Sequence, residues 1–389
     1  MNFEYPAVAE AFRAELRAFM KEEIPSWWTN ILADDDRSYG FSREFCMKLG
    51  AKGWLTMAWP KEYGGAEADV WFQNVLREEM WAMGEPRGQQ YQSLNFIGYA
   101  FMMFGTDEQK ERYLKPISTG EVCWCQAFTE PHCGSDLAAL KMTAEDTGKG
   151  FKLNGHKTWV SYARNADHCI LLVRTDPESA KHGGISLMMV DMDTPGIVIR
   201  DTPTMAGQTK VQELIFEDAE VPYEALIGPR DQGWSVAMQV LERERVGLGY
   251  AGRIQIQLDQ LSEYIKTAND SNGRPLRKRG DIRTKIMRLK ALNRGLRLVM
   301  DKVTINPSLA DAAAFKVLAG DITIAVGELA LEVTGQRGLL KDDDPFGILP
   351  LGGPYMWWVY ALPVQVAAGP SAIQRNIIAQ RELGLPRGK

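Results

Sequence analysis

The chain has 389 residues, of which 45% are hydrophobic and 24% are charged, and this balance excludes collagen-like, disordered and coiled-coil classes. Its length suggests two or three domains with large buried cores. The formal net charge of −5 argues against nucleic acid as the main partner, but it leaves room for a local cationic pocket.

Residues 1–120 show helical periodicity. The apolar stripe Val8, Phe12, Leu16 and Phe19 predicts a first helix that ends before Pro25. Further helices are predicted at residues 42–50, 70–83, 93–104 and 107–114, with the last one ending at a proline.

Residues 121–230 change to short β runs separated by turn residues. Six strands are predicted, namely VCWCQAF, FKLNGHKTWVS, HCILLVRT, ISLMMVDM, GIVIRD and VQELIFED. Their even spacing favours a small barrel or sandwich. Long helical patterns return over residues 231–389 and predict an antiparallel bundle.

The sequence therefore predicts an α+β fold that is mostly α. It divides into an N-terminal helical domain (1–120), a middle β-barrel domain (121–230) and a C-terminal four-helix bundle (231–389).

Cysteine and histidine usage predicts no metal site. The CxC at 123–125 has no second Cys pair at zinc spacing, and the four histidines show no HxxxH pattern. Five cysteines form no disulfide framework, so reduced thiols are the better interpretation. The N-terminus lacks signal-peptide features and no run approaches about 18 apolar residues, so we expect a cytoplasmic enzyme without a membrane span.

The stretch WCQAFTEPHCGSD, followed by NGHKTWVS, resembles the acyl-CoA dehydrogenase family. The resemblance covers essentially the whole chain through GTDEQKERYLKPISTGE, FEDAEVP, DQGW and IQRNIIAQRELGLP. It implies FAD-dependent α,β-dehydrogenation of an acyl-CoA thioester, in which a base takes the α-proton and flavin N5 accepts the β-hydride. It also implies electron-transferring flavoprotein as acceptor and a homotetramer or heterotetramer.

The same resemblance implies a set of flavin contacts. In the family, the positions of Phe128 and Thr129 contact the isoalloxazine ring, and the position of Gln126 lies beside it. Trp159 is implied as a wall of the flavin pocket, and Ser161 as a hydroxyl near flavin N5. Strand alternation independently puts Trp159 and Ser161 on one face.

Other positions match the family less closely. Ser135 corresponds to a position that contacts the CoA moiety, although a lone Ser is more often a turn-capping residue. In EVTGQRG, Gly335 and Gly338 match the element that holds the adenylate half of FAD, but Glu332 and Gln336 replace its Gln and one Gly. The Arg-x-x-Phe-Gly element that grips the diphosphate is missing. The sequence contains no GxGxxG fingerprint, so it does not predict a nicotinamide site.

The usual catalytic Glu is absent. In AAGPSAIQR, Ala368 stands at the position where many family members carry it, although its backbone N–H can still donate to the thioester carbonyl. A second branch of the family places the base on the first helix of the C-terminal bundle, where Glu244 matches. Glu244 also lies three residues after Leu241 and four before Leu248, on an apolar stripe.

Two interpretations of this segment remain open. QVLERERVGLG could instead be a solvated charge run, with Glu242 as the alternative base. Arg245 could pair with a carboxylate or contact the ligand.

The function also has alternatives. The chain could be a non-catalytic or FAD-contributing subunit of a heteromeric acyl-CoA dehydrogenase, or a flavin enzyme of the same fold with other chemistry. The segment GQQYQSLNFIGYAFMM is predicted to line the acyl pocket. Its amides favour a cyclic, aromatic or polar acyl group, as does Tyr162-Ala163 in place of the family's Asn-Gly.

Overall fold

The computed structural model describes residues 4–31, 33, 35–207, 210–246, 249–306, 308–340, 349 and 353–386. For residues 242–246 it describes the backbone but not the side chains.

Helices make up most of the described chain. The α-helices are α1 (Ala7–Glu23), α2 (Asp36–Ala51), α3 (Val70–Ala82), α4 (Gln90–Gln92), α5 (Gly98–Phe104), α6 (Asp107–Thr119), α7 (Gly233–Val246), α8 (Tyr250–Thr267), α9 (Gly280–Ile305), α10 (Leu309–Thr334), α11 (Gly353–Val364) and α12 (Ser371–Ile377). π-Helical turns follow α4 at Ser93–Ile97 and α12 at Ile378–Glu382. No helix in the described ranges is both long enough and apolar enough to cross a bilayer.

The β segment forms one sheet. Its strands are β1 (Trp124–Ala127), β2 (Thr143–Asp146), β3 (Phe151–Ser161), β4 (His168–Arg174), β5 (Ile185–Asp191), β6 (Ile197–Asp201) and β7 (Val211–Val221). Their order is β1-β4-β2-β3-β7-β6, with β5 paired to β4. The predicted fold class, a β-rich middle between helical segments, is confirmed.

The sequence missed strand β2 for a clear reason. Only Ala144 is buried in this four-residue strand, so it shows no apolar alternation. Pairing creates the strand, because β2 runs antiparallel to β3 with Ala144 opposite Leu153. The six predicted strands are all present.

Three helix details were predicted wrongly. Val8 is 63% exposed, and Ala9 takes its place on the buried stripe. Helix α2 begins at Asp36, well before the predicted start, because the Asp35 carboxylate accepts the Ser38 N–H and caps it. Helix α6 continues through Pro116, since a proline in the last turn removes only one backbone donor and left-handed Gly120 ends the helix.

The chain divides into two compact units. The first comprises Met1–Ile31, Asp69–Pro86 and Arg245–Lys389. Inside it, the buried Arg13 guanidinium lies 2.6 Å from Glu79 and 3.0 Å from Glu78, which also pairs with Arg297 at 2.7 Å. These ion pairs join α1, α3 and α9, and they pair the buried charges of Arg13, Glu78 and Glu79, as burial requires.

The second unit comprises Leu32–Ala68 and Arg87–Glu244. It contains α2, α4, α5, α6, nearly all of α7 and the whole sheet. One face of the sheet carries a closed apolar core, to which β1, β3, β4, β5 and β7 all contribute. Its members include Cys125, Ala127, Leu153, Val160, Cys169, Leu171, Val173, Met188, Val190, Leu214 and Phe216.

Candidate active site

Strand β1 presents Gln126 away from the core of the sheet. Cys125 and Ala127 face the core, so alternation turns Gln126 to the opposite face, where it is half-buried. Parallel pairing with β4 fixes this register, with Gln126 opposite Ile170. Phe128, which follows the strand, is 7% exposed.

A backbone bond joins the two sequence motifs. The Thr158 N–H donates to the Thr129 carbonyl at 2.9 Å, so the end of the first motif lies against β3. Beside this bond, the pairing of β3 with β7 shifts register between Lys157 and Val160. Such bulges redirect a side chain and are common next to active sites.

The bulge exposes Trp159. Its φ is 58°, in the left-handed region that a bulky side chain rarely adopts, and the residue is 63% exposed. Val160 points into the core and Ser161 is half-buried. The shared face of Trp159 and Ser161 stays a prediction, and the backbone strain at Trp159 is typical of functional sites.

Several polar side chains beside Trp159 have no protein partner. Within the described ranges, the Thr129 and Ser161 hydroxyls and the Gln126 amide make no hydrogen bond. All three side chains are half-buried. An open indole face beside free hydroxyl and amide groups suits a flat, polar-edged aromatic ligand.

A buried ion pair that the sequence analysis missed supports this region from within. Lys157 is completely buried, and its Nζ donates to the Phe128 carbonyl at 3.1 Å and to Glu130 Oε1 at 2.8 Å. The Lys141 and Met142 N–H groups donate to the same carboxylate at 2.8 and 3.0 Å. The available signal was a lysine in the middle of a predicted strand, with a glutamate inside the first motif.

Charge and burial act oppositely on this pair. Burial alone would raise the pKa of Glu130, but the Lys157 ammonium and the backbone donors hold that pKa below its usual range. Burial lowers the pKa of Lys157, although the Glu130 carboxylate counters it. The Glu130 carboxylate therefore stays ionised near neutral pH, and the bond from Lys157 Nζ fixes the Phe128 carbonyl.

The same glutamate belongs to a group of possible metal ligands with His132 and Cys133, whose ligand atoms lie within 4.8 Å of one another. Lys157 already neutralises the Glu130 carboxylate. Burial, together with the Glu130 charge, raises the pKa of the Cys133 thiol, which disfavours a thiolate ligand. This arrangement fits an ion pair better than a metal.

The predicted C-terminal residues lie in the first unit. Gly335 adopts φ 57° at the end of α10, and a Cβ at Gly338 would lie 2.1 Å from the Thr334 hydroxyl. Gly335 is therefore favoured by its backbone conformation and Gly338 by close packing against the Thr334 side chain. Glu332, which replaces the family's Gln, pairs with Lys285 at 2.7 Å.

Ala368 has an unusual backbone. Its φ is 53°, in the left-handed region, in the turn between α11 and α12. In the part of the chain that is described, its N–H has no hydrogen-bond acceptor. A free, half-buried N–H is the type of donor that stabilises a developing oxyanion.

The structure describes the side chain of only one of the three remaining predicted residues. Ser135 is exposed, near the end of the first motif. Glu244 and Arg245 have backbones within helix α7, but their side chains lie outside the described part of the structure.

Comparison with known proteins identifies the family. The N-terminal, middle and C-terminal domain models of acyl-CoA dehydrogenase match residues 7–121, 125–219 and 231–383. The chain belongs to the acyl-CoA dehydrogenase family. Its reaction is the flavin-dependent dehydrogenation of an acyl-CoA, and its cofactor is FAD.

Several relatives match over full length. Acyl-CoA dehydrogenase FadE26 of Mycobacterium tuberculosis is 30% identical, over 100% of this chain and 99% of that protein. Acyl-CoA dehydrogenase IpdE1 of the same organism is 29% identical, over 97% of this chain and 98% of that protein. The solved ChsE4-ChsE5 complex from M. tuberculosis superimposes with a TM-score of 0.90 at 30% identity, covering 100% of both chains. The solved structure of the Tcur3481-Tcur3483 steroid ACAD superimposes with a TM-score of 0.88 at 28% sequence identity, covering 100% of both chains.

The residues of the second unit fit a flavin. The exposed Trp159 offers an aromatic wall, and the unpartnered groups of Gln126, Thr129 and Ser161 can meet the polar edge and centre of the ring. Lys157 holds the Phe128 carbonyl in place beside them.

Proposed function

We propose that this chain oxidises a large, ring-containing acyl-CoA with Glu244 as the base. Bound FAD supplies the hydride acceptor for the β-carbon. Glu244 takes the α-proton, and the free Ala368 N–H donates to the thioester carbonyl, where negative charge develops. The observation that carries this proposal is the unsatisfied N–H of Ala368 at a position whose side chain cannot ionise.

The remaining predicted residues take supporting roles in this proposal. Gln126, Phe128, Thr129, Trp159 and Ser161 contact the flavin ring. The glycines at 335 and 338 hold the adenylate half. Ser135 contacts the CoA moiety and Arg245 the ligand; the exposure of Ser135 is compatible with a bulky, partly solvated CoA.

The proposed substrate class rests on the amide-rich segment at residues 88–103. It agrees with a structural relative described as a steroid ACAD. A panel of fatty, alicyclic and polycyclic acyl-CoAs, screened anaerobically for flavin bleaching, tests the class. Faster bleaching by straight-chain members than by ring-containing ones would contradict it.

We expect the Trp159→Ala variant to lose FAD affinity while keeping its folding stability. Trp159 is 63% exposed in the chain alone, so truncation removes little buried area. The same truncation removes the aromatic wall from the flavin. FAD titration and thermal melting of the apoprotein measure the two effects. Met205→Ala, at an equally exposed apolar position, is the matched control; an equal loss of FAD affinity there would refute the role of Trp159.

We expect the purified chain to carry FAD as a homotetramer or a dimer, or to need a second chain to complete a heterotetramer. The family's adenylate site spans two subunits, and two structural relatives are described as pairs of chains. Light scattering combined with the flavin-to-protein absorbance ratio tests this. A monomer that holds stoichiometric FAD would contradict it.

The electron acceptor and location complete the proposal. Electron-transferring flavoprotein is the proposed acceptor, so reduced enzyme should react slowly with O₂. A cytoplasmic location agrees with five cysteines that are all buried and free.

A further inference from the structure

Two buried amide side chains of the second unit have no hydrogen-bond partner. Gln92 is 8% exposed and Asn95 is 5% exposed. Gln92 Oε1, an acceptor, and Asn95 Nδ2, a donor, are fully enclosed and unsatisfied. Neither side chain forms any hydrogen bond with the described protein.

Two neighbouring glutamines bond to the protein through their amide nitrogens, although their Oε1 atoms are also buried without a partner. Gln89 Nε2 donates to the Asn165 carbonyl at 3.0 Å, and Gln90 Nε2 donates to the Gly120 carbonyl at 2.9 Å. Those two glutamines therefore hold the fold together. Gln92 and Asn95 do not, and enclosing them unpaired costs folding free energy that an apolar side chain would avoid.

The two amides flank a contact with the flavin motif. Ser93, between them, accepts the Trp124 N–H at 3.1 Å, at the start of β1. Strand β1 leads directly to Gln126 and the Phe128-Thr129 end. The backbone here forms the π-helical turn Ser93–Ile97, a rare geometry that recurs at functional sites.

The chemistry of the two free atoms is complementary to one group. Gln92 directly precedes the π-helical turn that contains Asn95. A hydroxyl matches the two atoms, because it can donate to the unsatisfied acceptor and accept from the unsatisfied donor. A ketone could use only the donor, and a plain methylene could use neither.

We infer that Gln92 and Asn95 bind a hydroxyl group on the acyl chain, away from the thioester. This inference rests on the proposed acyl-CoA dehydrogenation and deepens it, because it selects hydroxylated ring-containing acyl groups over their deoxy analogues. The amides are specificity determinants, and the stability lost by leaving them unpaired is recovered when the hydroxyl binds.

The test uses variants that keep size but remove hydrogen bonding, Gln92→Met and Asn95→Leu, singly and together. The probes are cyclohexylpropanoyl-CoA and its ring-hydroxylated and ring-oxo counterparts, with the oxygen at each ring position. We expect the wild type to favour at least one hydroxylated probe over the deoxy probe by about tenfold or more in kcat/KM. In the double variant, kcat/KM for that hydroxylated probe should exceed kcat/KM for the deoxy probe by less than about threefold. The loss of preference should come mainly from a higher KM for the hydroxylated probe.

Thermal melting supplies the second readout. Because the amides make no bonds within the protein, the apolar variants should melt at the same or a higher temperature. A lower melting temperature together with unchanged selectivity would overturn the inference, since the amides would then be structural. Gln255→Met is the control, because Gln255 is an exposed amide on α8.

Failure of the inference is separable from failure of the proposed function. Equal rates on hydroxylated and deoxy probes would overturn the role of the amides and leave dehydrogenation intact. Absence of flavin reduction by every acyl-CoA, with no spectral change on binding, would overturn both.

Discussion

The Glu244→Gln variant should reduce its flavin at least about 10²-fold more slowly than the wild type, the lower range for general-base catalysis. Gln keeps the size and hydrogen bonding of the side chain but cannot accept the α-proton at neutral pH. FAD and acyl-CoA should still bind, because neither contact requires the charge. Anaerobic stopped-flow absorbance measures the rate, and a spectral titration measures binding.

Two further variants control this result. Glu242→Gln should reduce flavin at nearly the wild-type rate, since two residues along helix α7 rotate a side chain by about 200°. Ala368→Glu should restore some activity to Glu244→Gln by returning a carboxylate to the position that many relatives use. Near-normal reduction in Glu244→Gln alone would remove this residue as the base and favour other chemistry on the same fold.

The sequence predicted those parts of the fold that follow from local patterns. Periodicity and turn residues located most helices and six strands, because an apolar stripe or alternation survives in a single segment. Strand β2 was not predicted, because pairing with β3 and not its own pattern makes it a strand. The start of α2 was predicted wrongly, because a polar cap and not an apolar stripe determines it.

The residues of the candidate site also fall into those that the sequence predicted and those that depend on tertiary contacts. Motif resemblance predicted Thr129 and Trp159 as flavin contacts, and that role stays a prediction. No sequence pattern indicated the bulge that exposes Trp159 or the backbone bond between Thr129 and Thr158. Lys157 was missed because its role depends on a partner 27 residues away in sequence. Gln92 and Asn95 could be distinguished from Gln89 and Gln90 only after the hydrogen bonds of each were known.

Replacing Lys157 with Met should destabilise the protein by about 3–5 kcal/mol, the usual cost of leaving a buried charge without its partner. Glu130 is 3% exposed and would keep its charge at neutral pH with two backbone donors and the partly exposed His132, 3.6 Å away, as its remaining polar neighbours. The Phe128 carbonyl would also lose its bond to Nζ, so FAD affinity should fall with stability. Chemical denaturation and FAD titration measure the two losses.

The stability loss in Lys157→Met should depend on pH, and its direction follows from the pKa of Glu130. In the wild type, the pKa of Glu130 is lowered, so the pair stabilises the fold above the ordinary carboxyl pKa and loses that contribution as pH falls through the lowered value. Without Lys157, burial would raise the pKa of Glu130 above its value in the unfolded chain. Lowering the pH would then stabilise the folded variant, because it would protonate the buried carboxylate.

The stability gap between wild type and Lys157→Met should therefore narrow between about pH 7 and pH 4. The lowered pKa of Lys157 adds no opposing slope, because a lowered lysine pKa also makes wild-type stability fall as pH falls. Adding Glu130→Gln to the variant should recover stability at pH 7 and remove the pH dependence, because no buried charge remains. A gap that is constant with pH, or a double variant less stable than Lys157→Met, would show that packing at residue 157, not the ion pair, holds the flavin motif in place.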